Sequence, residues 1–327
     1  MKKRCFLPME EPQFISYYHH TYINAIIKAN ARHDAQTLFC SRYINCFFKE
    51  NATKNKLVIS LYDTPFRQGR LHEQMLNLLK ETYRNNRMDL LLILKKILLS
   101  DCYVLACCNC SCMEAIPSHK APDRDVVIAG FDDFKRAFTV YALNTERSFQ
   151  CYQIGYELLI DALYQTLNPK IVLFFWQYDS NLPVTVDFPT LVLELEEYLQ
   201  SKNNRDPRPI NIIYGLDAIV AFANYLFNTS KKGLKVDEEV LHLFSVHKYY
   251  MRERVTYLVN QGMLNTKWLL HAERVEELAQ NAVALAKQYN FSNGQPLPQA
   301  FLDNMLETVA IEREYLPEVL DELKDHV

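Results

Sequence analysis

The stretch HKAPDRDVVIAGFDDFKRAFTVY, His119–Tyr141, decides how the first half of the chain is read. Val126 and Ile128 alternate with Val127 and Ala129, Gly130-Phe131-Asp132-Asp133 supplies turn chemistry, and Ala137-Phe138-Thr139-Val140-Tyr141 is β-rich again. The pattern predicts a β-hairpin with the polar pair Arg124-Asp125 at its entrance. Such positions often carry chemistry.

On the N-terminal side, FISYYHHTYINAIIKA (14–29) spaces Tyr18, Tyr22, Ala25, Ile26 and Ala29 in steps of three and four, which predicts a helix. An aromatic segment, Phe39 to Phe48, precedes a strand in NKLVISLYDT, and a helical stretch is read from Leu71 to Leu99. Cys102–Ile116, Asp125–Ile128 and Phe138–Leu143 then form a small antiparallel sheet, followed by a helix at Tyr156–Thr166 and a strand at Lys170–Tyr178. Helices followed by strands in this order predict an α+β fold. Past residue 185 the period is helical: Phe188–Gln200, then almost everything from Ile213 onward. In LHLFSVHKYYMRERVTYLVNQG the inner stripe is Leu243, Val246, Tyr250, Val255 and Leu258, with Gly262 as the stop. Two domains are expected, an α+β one over 1–185 and a helical one over 186–327.

Composition narrows the function classes. Seven glycines among 327 residues, with no GxGxxG and no GxxxxGK[ST], leave no nucleotide-binding loop. The net charge of −3, with Lys and Arg scattered along the chain, gives no reason to expect a nucleic-acid partner. After MKKRCFL come Pro8 and two glutamates rather than an apolar run, and no eighteen apolar residues stand together. A cytoplasmic protein without a membrane partner is expected. Its nine irregularly spaced cysteines then read as free thiols. In CYVLACCNCSC strand alternation puts Cys102, Cys108, Cys110 and Cys112 on one face and Cys107 on the other, a spacing unlike the paired CxxC turns of zinc sites. No metal or cofactor is expected.

A Cys-His enzyme built on this layout needs a thiol on the first helix facing an imidazole from the sheet. That helix has no Cys; it carries His19 and His20, each open to reading as a core or solvated imidazole or as a general base. At the sheet stands Arg124, with His119 five residues earlier beyond Pro122. His247, Arg252 and Arg254 in HKYYMRER read either as ordinary surface pairing or as a basic rim for a phosphopantetheine phosphate or an acidic carrier helix.

YYHHTYINAI, FCSRYINCFF, RDVVIAGFDDFKRAFTVYAL, IYGLDAIVAFANYL and HKYYMRERVTYLVNQG together resemble the butirosin-biosynthesis-H-like proteins of bacterial nonribosomal peptide and polyketide gene clusters. The resemblance implies a papain-like, cysteine-peptidase-like first half. It also implies a family whose best-understood type uses a Cys to move an acyl group from a carrier-protein thioester to an amine. The family's hairpin motif places its His on Arg124, the following Asp on Asp125, and its Gly-aromatic-Asp on Gly130, Phe131 and Asp132. An Arg exchanges no proton near neutral pH, because its pKa exceeds about 12. The expectation is therefore a catalytically degenerate accessory protein that binds an acyl or peptidyl carrier protein, an assembly-line enzyme or the acyl chain. The alternative is an acyltransferase or amide synthase acting on an amine, with His19 or His20, Arg124 as oxyanion stabiliser and Asp125.

Overall fold

The computed structural model describes residues 2–12, 18–30, 37, 40, 44–51, 56–62, 71–80, 87–113, 116, 123–144, 148–180, 186–202, 212–236, 238–292 and 296–326. The fold is α+β, and among the described residues every strand pairing is antiparallel. Two compact units divide the chain: Met1–Ala35 with Phe66–Pro183, and Gln36–Pro65 with Val184–Val327. The segment Gln36–Pro65 thus belongs with the C-terminal residues rather than with its neighbours in sequence.

The first unit is built on a seven-stranded sheet. Its strands are β1 (Arg4–Phe6), β4 (Leu71–Leu79), β5 (Cys102–Asn109), β6 (Asp123–Asp132), β7 (Ala137–Leu143), β8 (Phe149–Gly155) and β9 (Lys170–Tyr178). The order is β4-β9-β5-β6-β7-β8, with β1 also on β6. One edge of β6 is shared, because β5 pairs Asp123–Ile128 and β1 pairs Gly130–Asp132. The sheet is larger than the small one the sequence predicts, mainly through β4. LHEQMLNLL is rich in helix formers, yet it is a strand, paired residue for residue with β9 from Leu71↔Tyr178 to Leu79↔Lys170. Tertiary pairing overrides local propensity here; of the helix read over Leu71–Leu99, Arg87–Leu99 is helical and forms α2.

Two faces of the sheet are covered. Leu90, Leu94 and Leu98 of α2, spaced one turn apart, join Leu159, Ile160 and Leu163 of α3 (Tyr156–Tyr164) over Val104, Ala106, Cys108, Val126 and Ile128. Each buried leucine contributes about 1.5–3 kcal/mol. On the opposite face α1 (Tyr18–Asn30) packs with Tyr22, Ile23, Ile26 and Ile27 buried, and Asn30 Nδ2 donates to Tyr103 Oη at 3.1 Å.

The hairpin of the opening stretch exists, but its turn is Asp133–Arg136 rather than Gly130–Asp133. Asp132 fixes the turn by accepting from Phe134 N at 2.9 Å and Lys135 N at 3.3 Å. Gly130 lies within β6 beside a register shift, where a Cβ would stand 2.4 Å from Cys5 O. Its glycine is what lets β1 dock. The cysteine-rich strand ends at Asn109, whose side chain accepts from Ser111 N at 3.1 Å and opens a 3-10 turn over Cys110–Cys112. All nine cysteines are free.

The second unit is mostly helical. β2 (Asn45–Asn51), β3 (Lys56–Tyr62) and β10 (Ile212–Tyr214) form a three-stranded sheet in the order β10-β2-β3. Its helices described over their full length are α4 (Phe188–Leu199), α5 (Gly215–Ser230), α6 (Glu238–Asn260), α7 (Lys267–Phe291) and α8 (Gln299–Lys324). β10 replaces the start of the helical run read from Ile213. Asp187 caps α4 by accepting from Thr190 N at 3.1 Å. The predicted stripe of α6 is buried at Leu243, Val246, Tyr250, Val255 and Leu258, and the helix ends just before Gly262.

Candidate functional site

α1 meets β6 at Asp125. Tyr22, fully buried, donates its hydroxyl to the Asp125 carbonyl at 2.8 Å. Its ring lies 6.3 Å from Phe149, which stacks on Tyr141 at 5.2 Å. Residues alternate along a strand, so Asp125 shares the α1 face with Val127, whereas Arg124 turns with Val126 toward α2 and α3. There Arg124 Nη1 donates to Leu143 O at 3.4 Å, and its charge acts on the Cys110 thiol. The sheet therefore separates Arg124 from the face on which α1 packs. His19 and His20 belong to the first turn of α1, just before Tyr22; their side chains and all of His119 lie outside the described residues.

Asp125 has neighbours that the sequence does not connect. Cys107 is its cross-strand partner in β5. Burial raises the Asp125 carboxyl pKa. Burial, followed by the negative fields of Asp125 and Asp123, pushes the Cys107 thiol to about 11. Lys80 donates to Thr166 O at 2.6 Å and Thr166 Oγ1 at 2.8 Å, and burial lowers its pKa against the pull of Asp123. A thiol held protonated beside two carboxylates is a poor nucleophile. Burial likewise raises Cys5, Cys40, Cys46, Cys102, Cys108 and Cys110, with Cys40 at about 11 and Cys46 at about 12.

The helical unit holds a second polar cluster. Lys248, Glu312 and Tyr198 are fully buried. The Lys248 ammonium donates to Glu312 Oε2 and, at 2.7 Å, to Tyr198 Oη, which itself donates to Glu312 Oε2 at 2.8 Å. HKYYMRER does not form a basic rim, because His247 and Arg254 are buried and only Arg252 pairs near the surface, with Glu253 and Glu276. Arg254 Nε donates to Cys40 O at 2.5 Å. His247 Nε2 lies 2.8 Å from Ile44 O, which only accepts, so Nε2 carries the proton and Nδ1 is bare.

Burial first, then the Lys248 charge, holds the His247 pKa well below its ordinary 6.5. The unfolded chain consequently takes up a proton at His247 that the folded chain refuses, so this contribution to stability is present above pH 6.5 and is lost as pH falls below it. Urea unfolding of the wild type should show this loss at up to about 1.4 kcal/mol per pH unit. In His247→Gln, which keeps a donor for Ile44, the slope should shrink by one proton; an unchanged slope would rule His247 out as its source.

Among the described residues no three His, Cys, Asp or Glu side chains gather to hold a metal ion, and no helix is long and apolar enough to cross a membrane. No protein-family model matches the chain, and no curated protein is significantly similar to it.

Proposed function

We propose that this is an accessory protein of nonribosomal peptide or polyketide biosynthesis, cytoplasmic and with a papain-like first half, that holds a carrier protein or its acyl cargo without turning it over. The observation that carries this reading is the fate of the motif positions. The residue matched to the family's His is Arg124, which faces away from α1 and donates to Leu143 O, while Tyr22 seals the α1–β6 joint at Asp125. An acyl transfer at this joint would need an activated nucleophile beside a proton carrier. The raised Cys107 thiol beside Asp125 and the Arg124 guanidinium on the opposite face supply neither. A helix packed on an antiparallel sheet is the layering a papain-like half requires, and nine free cysteines suit a reducing compartment.

The test is intact-protein mass spectrometry of an acyl-loaded carrier protein mixed with this protein and a panel of primary amines, beside His20→Ala and Arg124→Ala. The expected result is a carrier that binds and keeps its acyl mass. Loss of that mass with an amide product, dependent on His20 or Arg124, would replace this reading with the transferase.

A further inference from the structure

The basic residues that look scattered in sequence gather at one corner of the first unit. β1 sets Arg4 opposite Asp132, and Asp133 N donates to Lys3 O at 2.9 Å, so Lys2, Lys3 and Arg4 stand beside the turn that carries Phe134, Lys135 and Arg136. All five cations are exposed. Phe134 is 66% exposed and Phe6 57%. Lys3 Nζ lies 5.3 Å and the Arg4 guanidinium 4.7 Å from the Phe134 ring centre.

The nearby carboxylates offset part of this charge, through Arg4, Arg136 and Lys95, and leave Lys2, Lys3 and Lys135 as the cations that keep the corner positive. Asp132 is buried, engaged by Arg4 at 3.1 Å and by the turn amides. Asp133 is held by Lys95 and by Tyr156 Oη at 2.9 Å. Among the described residues, the exposed carboxylates at the rim are Glu157, paired with Arg136 at 3.2 Å, and Asp101, which acts on Cys5 of β1. On a chain of net charge −3, a cationic corner tipped with two phenylalanines is a local reversal of sign.

We infer that this corner docks an acidic protein surface bearing an apolar contact for Phe134, namely that of the carrier protein or assembly-line enzyme; in naming that partner the inference rests on the accessory reading. Charge complementarity of this kind steers encounter and fixes orientation. A protein surface fits better than an anionic bilayer. Glu157 and Asp101, both exposed, would be repelled by a uniformly negative plane, whereas a protein surface can place its acidic groups away from them.

Binding is measured by fluorescence anisotropy with three probes: a phosphopantetheinylated carrier protein, a synthetic Glu/Leu amphipathic peptide, and vesicles of phosphatidylcholine with phosphatidylserine. The double variant Lys3→Glu/Lys135→Glu and, separately, Phe134→Ala should each weaken carrier and peptide binding by roughly tenfold or more, with thermal unfolding unchanged. Carrier binding indifferent to these variants would overturn the docking surface and leave the accessory reading standing. Peptide bound through the corner with no carrier bound would keep an acidic partner and overturn that reading. Vesicles bound through the corner, with neither protein probe bound, would overturn the proposal in favour of a membrane; no binding at all would overturn both.

Discussion

Glu312→Ala should lose about 3–5 kcal/mol of folding stability, read as a lower urea midpoint, because it leaves the Lys248 ammonium buried without its carboxylate. Both groups are fully buried, so no solvent replaces the lost partner. The loss extends to Tyr198, whose hydroxyl accepts from Lys248 and donates to Glu312. Glu312 Oε1 has no hydrogen-bond partner among the described residues, so even the intact pair is imperfectly compensated. For that reason Lys248→Met combined with Glu312→Leu should recover most of the stability that the single change removes. If the double variant is no better than Glu312→Ala, the cost lies in packing at these positions and not in a stranded charge.

Gly215→Ala should be nearly as damaging. Gly215 sits at φ +57°, and a Cβ there would lie 2.1 Å from Tyr198 O and 3.0 Å from Ser201 Cα. The left-handed conformation costs a non-glycine residue about 1–2 kcal/mol, and forcing extra volume into a packed site costs about 1–3 kcal/mol. Both act where α4 ends and α5 begins, a junction also tied by Asp217 N donating to Ser201 Oγ at 2.9 Å. The expected loss is about 2–5 kcal/mol in urea unfolding. A loss under about 1 kcal/mol would mean that α4 and α5 separate easily and that the junction is not tightly determined.

The features legible in the sequence are those set by local period. The hairpin strands, the helix at Tyr156, the strand at Lys170–Tyr178 and the α6 stripe all announce themselves through alternation or three-and-four spacing. What a distant partner decides was not legible. Nothing within LHEQMLNLL signals that β9 will pair with it. His247 and Arg254 read with Arg252 as surface groups until Ile44 and Cys40 arrive to accept from them. The division of Arg124 from Asp125 is a different case: consecutive residues of a strand point to opposite faces, so the pair could not serve one side of the sheet together. The basic corner escaped because β1 and the β6–β7 turn lie far apart in the chain.

The placement of Gln36–Pro65 in the second unit sets an order of events during synthesis. β2 and β3 leave the ribosome well before β10 and α5, which complete their packing. At about 5–20 residues per second the wait is on the order of ten seconds or more. Through that interval an unpaired strand edge and the apolar groups of Cys46 and Phe48 lack their final cover, a state that chaperones exist to shield. The same threading means that a fragment beginning at 186 is not a half-protein. It would lack two of three strands and the carbonyls of Cys40 and Ile44 on which Arg254 and His247 depend, so proteolysis between the units should not release a stable C-terminal piece.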